Sequence, residues 1–222
     1  MSPSKLANSR PRVRVSRSAL VRNIARARQS EPNAAVDLRR DACGHGAALV
    51  AGAAREAGVT TAIVDAGETS HGLDAVTGHA LPLETVFGVD GVGVPAMTFA
   101  APVLQTKPLR AGDGVSYGYL HRAEKATRVA LVAGGYAQGV ARAIGSHASV
   151  VIAGSERPIV GRVAMDVCVV DVADAPVSAG DEAVYFGDAA PRSLARWAEA
   201  SGWTMLELVA IVGLGAESEE AP

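Results

Sequence analysis

Six short runs rich in β-branched and aromatic residues follow one another after Pro95, and turn residues cut off each one. They span Phe99–Gln105, Arg128–Val132, Val150–Ala153, Val160–Ala164, Cys168–Val172 and Ala183–Phe186. Strands this short and this evenly spaced can bury only one face each, so the pattern predicts a small antiparallel barrel or sandwich. A helix over Ser193–Ser201 follows Pro191, and Leu206–Val212 is expected as a last strand. No internal repeat is visible.

The first third of the chain reads differently. Pro11–Val15 alternates weakly, as a short strand does. Ser16 or Ser18 can cap a helix running to about Gln29, because a serine hydroxyl accepts from the exposed N–H groups of a first turn. Leu20, Ile24 and Ala27 fall on one face of that helix. A strand at Ala34–Leu38, a loop at 39–46, an alanine-rich helix at Ala47–Ala57 closed by Gly58, and a strand at Val59–Val64 compose one β-α-β unit. From Gly67 to Gly93 glycines break every period, which predicts an irregular connection with one strand at Thr85–Val89. The expected organisation is therefore 1–67 as helix and β-α-β unit, 68–94 as connection, 95–216 as β-domain and 217–222 as acidic tail.

Composition narrows the function classes. The 222 residues carry a net charge of −2 and no apolar run of the roughly 18 residues a membrane helix needs. Met1–Ser30 holds eight Lys or Arg and no acid, but no aromatic residues interleave to stack bases, so a solvated helix face explains it better than a nucleic-acid arm or a transit peptide. Neither nucleic acid nor membrane is expected as a partner. Cys43 and Cys168 stand alone and far apart, which argues against a disulfide framework and for a cytoplasmic location. His71 and His79 are eight apart in an irregular stretch, His121 and His147 have no visible companion, and no metal is expected. Gly91-Val92-Gly93-Val94-Pro95-Ala96 imitates a dinucleotide turn only loosely, since Pro95 opens a strand and not a helix.

Gly114-Val115-Ser116-Tyr117-Gly118, Gly135-Tyr136-Ala137-Gln138-Gly139, Pro158-Ile159-Val160-Gly161-Arg162-Val163-Ala164-Met165-Asp166, Val170-Asp171-Val172 and Gly180-Asp181-Glu182-Ala183-Val184 follow one another along the chain. In this order and spacing they resemble the motifs of bacterial alanine racemase. Arg39 to Gly46 resembles the family's loop Lys-Ala-Asp-Ala-Tyr-Gly-His-Gly, and Ser18-Ala19-Leu20 with Asn23 resembles its N-terminal helix. The resemblance covers roughly 10–65 and 95–212. It implies an α+β, mostly β fold: a C-terminal β-barrel domain of the racemase type with a short, incomplete remnant of a (β/α)8 barrel. In that family the barrel holds pyridoxal phosphate on a lysine. The β-domain lends a tyrosine to the partner subunit of a head-to-tail dimer, so that a base stands on each side of the substrate.

Three departures bear on chemistry. The cofactor lysine matches Arg39, whose guanidinium stays protonated and forms no Schiff base. A (β/α)8 barrel takes about 250 residues, whereas about 60 separate Ala34 from Pro95 and one β-α-β unit takes roughly 30. The loop tyrosine is Cys43, a second family tyrosine aligns with Leu206, and the usual aspartate of Gly-Tyr-Ala-Asp-Gly is Gln138. By contrast Tyr117, Tyr136, Met165 and Asp166 are present.

The resemblance assigns Tyr117 as the proton-transferring phenol offered in trans, and Met165, Asp166 and Tyr136 to the substrate end of a partner's site. Each also has an ordinary explanation: a strand-end tyrosine, a turn between strands, a packing tyrosine. Arg39 could clamp a phosphate or carboxylate, but a solvated strand-end arginine is simpler, and His45 and Cys43 are expected to be structural. The expectation is a truncated, catalytically degenerate racemase relative with no cofactor in isolation. The alternatives are a module that docks as heterodimer on a full-length racemase or pairs with itself as homodimer, and an active pyridoxal phosphate-dependent racemase.

Overall fold

The computed structural model describes residues 10–119 and 121–221, with Tyr117, Glu217 and Ser218 described in their backbone only. Expectations about the first nine residues lie outside this range.

The chain opens with β1 (Arg12–Ser16), α1 (Arg17–Ser30), β2 (Val36–Asp37), α2 (Arg39–Gly44), α3 (Ala47–Glu56), β3 (Thr61–Ile63), β4 (Asp74–Ala75) and α4 (Leu83–Val86). It continues through β5 (Met97–Leu109), β6 (Gly114–Val115), β7 (His121–Arg122), β8 (Thr127–Ala133), β9 (Ser149–Ile152), β10 (Ser155–Pro158), β11 (Val167–Asp171) and β12 (Glu182–Phe186). Helices α5 (Ser193–Ser201) and α6 (Met205–Gly215) and strand β13 (Glu217–Ala221) close it. Two compact units result. One holds the described part of Met1–Arg12 with Phe99–Leu208, the other Val13–Thr98 with the described part of Val209–Pro222.

In the Val13–Thr98 unit, Ser16 Oγ accepts the Ala19 N–H at 3.2 Å and starts α1. This is the cap that its position before the apolar periodicity predicts. Leu20, Ile24 and Ala27 are buried against α3, whose buried face is Val50, Ala51, Ala53 and Ala54. Burial of Leu20 or Ile24 contributes about 1.5–3 kcal/mol each, while the alanines let the two helices approach closely. Strands β2, β3 and β4 are parallel, with Val36 opposite Ala62 and Thr61 opposite Asp74. The β-α-β unit is therefore present, and three parallel strands stand where a closed barrel has eight. Gly44, at φ +79°, backs onto α6. A Cβ there would lie 2.7 Å from the Gly213 carbonyl carbon, so only glycine admits this approach.

In the Phe99–Leu208 unit, antiparallel pairing runs β10-β9-β12-β5, and β5 also pairs with β8, which pairs with β11. A register shift between Val103 and Gln105 lets the 13-residue β5 serve β12 with its first half and β8 with its second. The ladder stays open between β10 and β11. A single bridge, Ile159 to Val170, spans that gap, and the Val160 N–H donates to Val169 O at 2.8 Å. Phe99, Tyr185, Phe186 and Trp197 fill the core beneath this sheet.

Three expected strands are not strands. Thr85–Val89 begins inside the short helix α4, whose entry is set by Pro82. Val160–Ala164 is a loop after the one bridge, because Gly161 turns at φ +74°. Leu206–Val212 lies within α6, where Thr204 Oγ1 accepts the Glu207 N–H and Glu207 Oε2 accepts the Thr204 N–H at 2.7 Å. That reciprocal pair is a capping box, and it starts a helix in an apolar run that would otherwise suit a strand. Strand β10 was not expected; it returns from β9 through Ala153-Gly154, both at positive φ.

Candidate functional site

Three of the four residues carried over by the resemblance meet on one face of the Phe99–Leu208 unit. The chain leaves β8 at Gly134 and turns through Tyr136–Gln138. The Tyr136 N–H donates to Ala164 O and the Ala137 N–H to Met165 O, both at 3.0 Å, and the Gly134 N–H donates to Asp166 O at 2.8 Å. These bonds stitch the turn to the 164–166 loop and leave Tyr136, Met165 and Asp166 exposed side by side.

Tyr117 starts a 3-10 turn, Tyr117–Tyr119, separated from β6 by Ser116. Its neighbour Ser116 ties that turn to the same loop system, with Oγ accepting the Arg162 N–H at 2.8 Å. A single side-chain bond thus ties Ser116, the residue before Tyr117, to Arg162, three residues before Met165.

Two further residues complete the patch: Gln138, noted in the sequence as a departure from the family motif, and Arg142, which the sequence did not single out. The Gln138 amide donates to Asp166 Oδ1 at 3.0 Å while its Oε1 accepts the Gly135 N–H at 2.9 Å. A carboxylate at 138, the family's usual group, would face the Asp166 carboxylate and could not donate to it; the amide does both tasks. The Arg142 guanidinium lies 5.6 Å from the Tyr136 ring centroid, an exposed cation–π contact that contributes roughly 0.5–1 kcal/mol. Nothing in the sequence spacing marks Arg142, since the turn at Gly139 sets its reach.

Gly135 sets the distance between turn and loop. A Cβ there would lie 2.3 Å from both Ala164 O and Met165 O. Gly135→Ala is therefore expected to force the two segments apart, costing about 1–3 kcal/mol, and to abolish slow exchange at the Tyr136 and Ala137 amides. Hydrogen exchange read by NMR checks this; unchanged protection at both amides would refute the close approach.

The other expected site residues lie in the Val13–Thr98 unit. Asp37, buried at the end of β2, grips Arg39: Nε donates to Oδ1 at 2.9 Å and Nη2 to Oδ2 at 2.5 Å. The hydrogen bond and charge of Asp37 raise the Arg39 pKa. Asp37 Oδ1 also accepts the Arg39 N–H at 3.0 Å, and Asp65 Oδ2 accepts the Arg40 N–H at 3.1 Å. The exposed N–H groups of this turn thus already hold carboxylates. Arg40 to Cys43 are all left-handed, with φ between 50° and 54°, a conformation that costs an L-residue roughly 1–2 kcal/mol. His45 is buried and stacked on Phe87 at 3.8 Å between centroids, and Nδ1 donates to Ala42 O at 3.2 Å. Burial raises the pKa of the half-buried Cys43 thiol, which leaves it a poor nucleophile.

Comparison with known proteins agrees with this architecture. The fold is that of alanine racemases: the enzyme from D-cycloserine producing Streptomyces lavendulae superposes with a TM-score of 0.82 at 20% identity, over 97% of this chain and 98% of that one. The family model for the alanine racemase C-terminal domain matches residues 96–217, more than half of the sequence. The chain belongs to the alanine racemase family. It is 41% identical over 134 residues to the alanine racemase of Thermobifida fusca, covering 59% of this chain and 36% of that protein. It is 49% identical over 107 residues to that of Corynebacterium efficiens, covering 47% and 29%. The match thus spans about a third of these relatives' length.

One structural relative, the alanine racemase of Bartonella henselae, has covalently bound pyridoxal phosphate (TM-score 0.76, 16% identity, 96% of this chain and 99% of that one). The residues here do not fit such an attachment. Arg39, expected from the resemblance at the lysine position, is already engaged by Asp37, and the Arg39 and Arg40 amides by Asp37 and Asp65. The two described lysines are elsewhere, Lys107 on β5 and Lys125 ahead of β8.

Proposed function

We propose that this chain is a racemase relative without catalytic activity of its own. Its β-domain, residues 95–216, presents Tyr117, Tyr136, Met165 and Asp166 to a full-length racemase subunit. Tyr117 acts there in trans as the acid–base phenol, and the other three line the substrate end of the partner's site. The observation that carries the non-catalytic part is the Asp37–Arg39 pair. A guanidinium held by a buried carboxylate forms no imine, and the carboxylates around it repel a phosphate. The patch supports the docking part. Its turn and loop are fixed by backbone bonds, yet Met165 and Tyr136 remain about half exposed, at 53% and 44%. Apolar side chains held rigid and open to solvent suit an interface. The chain works in the cytoplasm on this proposal, in keeping with its two unpaired cysteines.

The test starts with tag-free protein from a racemase-null host. Incubation with pyridoxal phosphate should give no imine absorbance band and no α-proton exchange of alanine, and Arg39→Lys should not restore either, because Asp37 and Asp65 remain. Turnover by the unmodified chain would overturn the proposal. Co-expression with a full-length racemase should give a heterodimer by mass; a homodimer only, or no complex, would refute the docking half.

A further inference from the structure

Behind the patch lies a buried pair of donors that the proposed function does not use. At Gly134 the backbone turns to φ +99° and leaves the β8 ladder. The turn points the carbonyls of Ala133 and Gly134 into the core, where no water can reach them, and buried carbonyls need donors. Two side chains supply them. Tyr185 Oη lies 2.8 Å from Ala133 O and 3.2 Å from Gly134 O, and Cys168 Sγ lies 3.3 Å from Gly134 O. Both groups are buried and burial raises both pKa values, so each keeps the proton it donates. The Tyr185 ring is fixed in turn by Phe99, stacked at 5.0 Å, and by the edge of Trp197 at 5.9 Å.

We infer that Tyr185, assisted by Cys168, is a positioning residue for the Tyr136–Asp166 patch. The same short segment is held on its two sides by different partners. Its outward N–H groups, from Gly134, Tyr136 and Ala137, bind the 164–166 loop. Its inward carbonyls bind Tyr185 and Cys168. Releasing the inward side frees the segment to rotate, and the outward bonds then open. The phenol therefore acts on the patch through the backbone of Ala133 and Gly134, without touching Tyr136 or Asp166. This rests on the docking reading for its purpose, though not for its geometry.

Tyr185→Phe tests it, since the ring stays and only the hydroxyl leaves. Amide exchange at Gly134, Tyr136 and Ala137 should quicken about tenfold, the equivalent of one lost buried hydrogen bond, relative to the amides of β9 and β12. Val150→Ala, a buried truncation on β9, provides the control: it lowers global stability but should leave the ratio between patch and β9 amides at the wild-type value. Equal acceleration everywhere in Tyr185→Phe, or none at the patch, would overturn the inference. Affinity for a full-length racemase subunit is measured in parallel. Loss of patch protection with wild-type protein that never binds would sink the docking reading and leave the positioning role standing. Binding by wild type and by Tyr185→Phe alike, with patch protection unchanged, would sink the positioning role alone.

Discussion

Trp197→Ala is expected to remove about 3–5 kcal/mol of folding stability, enough to unfold a domain of ordinary marginal stability at physiological temperature. Trp197 is fully buried and meets Tyr185 and Phe186 edge-on at interplanar angles of 81° and 87°. Its ring packs against strand β12 from α5, so truncation leaves a cavity that rigid strands cannot collapse into. Its indole N–H has no hydrogen-bond partner among the described residues, and a buried donor left unpaired costs about 1–3 kcal/mol. Trp197→Phe loses part of the ring but also that unpaired donor, so its cost should stay below about 1.5 kcal/mol. Urea titration of the two variants gives the comparison. A loss under about 1 kcal/mol for the alanine variant would mean that the cluster is not the core. A phenylalanine variant as damaged as the alanine one would mean that the indole N–H does find a partner.

Much of this architecture is legible in residue pattern alone. Ser16 before the apolar spacing of Leu20, Ile24 and Ala27 marks α1, and Pro191 ahead of Ser193 marks α5, because capping and periodicity are local properties. The strands around Val150 and Val169 alternate between buried and half-buried residues, whereas those around Val129 and Ala183 show as short apolar β-branched and aromatic runs buried on both faces. Leu206–Val212 misleads because a short apolar run with valine and isoleucine suits either element. The deciding signal pairs Thr204, just before the run, with Glu207 inside it, and a single acid in an apolar run does not by itself announce a cap. Val160–Ala164 misleads because its ending depends on Gly161, where a side chain would strike Ser116, 45 residues earlier in the chain. The candidate site divides along the same line. Tyr136, Gln138, Met165 and Asp166 lie in family motifs, but the bonds of Gln138 to Asp166 and of Tyr185 to Ala133 join distant segments. Sequence spacing holds no record of those contacts. Arg39 shows the opposite case: its chemistry is evident from its identity, and the carboxylates that occupy it follow from where β2 and β3 end.

Acid should destabilise the Val13–Thr98 unit as soon as pH falls below about 6.5. His45 is buried against Phe87, burial pushes its pKa down to about 4, and the bond to Ala42 O only partly offsets this. In the unfolded chain the same imidazole titrates near 6.5. Between those two values the unfolded state binds more protons than the folded one, so stability rises with pH across the window. It is fully present above about pH 7, declines as pH falls from 6.5 toward 4, and this contribution falls no further below 4. At about 1.4 kcal/mol per pKa unit the loss is roughly 3 kcal/mol. Among the described residues no carboxylate bonds to the ring to hold the cation; Arg17, Glu219 and Glu220 line the cleft outside it. His45→Phe keeps a stacking ring against Phe87, and Ala42 O still accepts the backbone N–H of residue 45 at 3.1 Å. This variant should flatten the stability profile between pH 6.5 and 4. A second decline, below about pH 4, should survive in it. For Asp90, burial raises the pKa, but the N–H groups of Gly93 and Val92, with Arg26 and Thr85, outweigh burial and bring it to about 2. That carboxylate therefore gives up its stabilisation only as pH falls from 4 toward 2. Denaturation midpoints across pH 2 to 8 separate the two groups. A wild-type profile that is flat between 6.5 and 4, or one that His45→Phe leaves unchanged, would show that the imidazole is not the buried neutral ring its stacking requires.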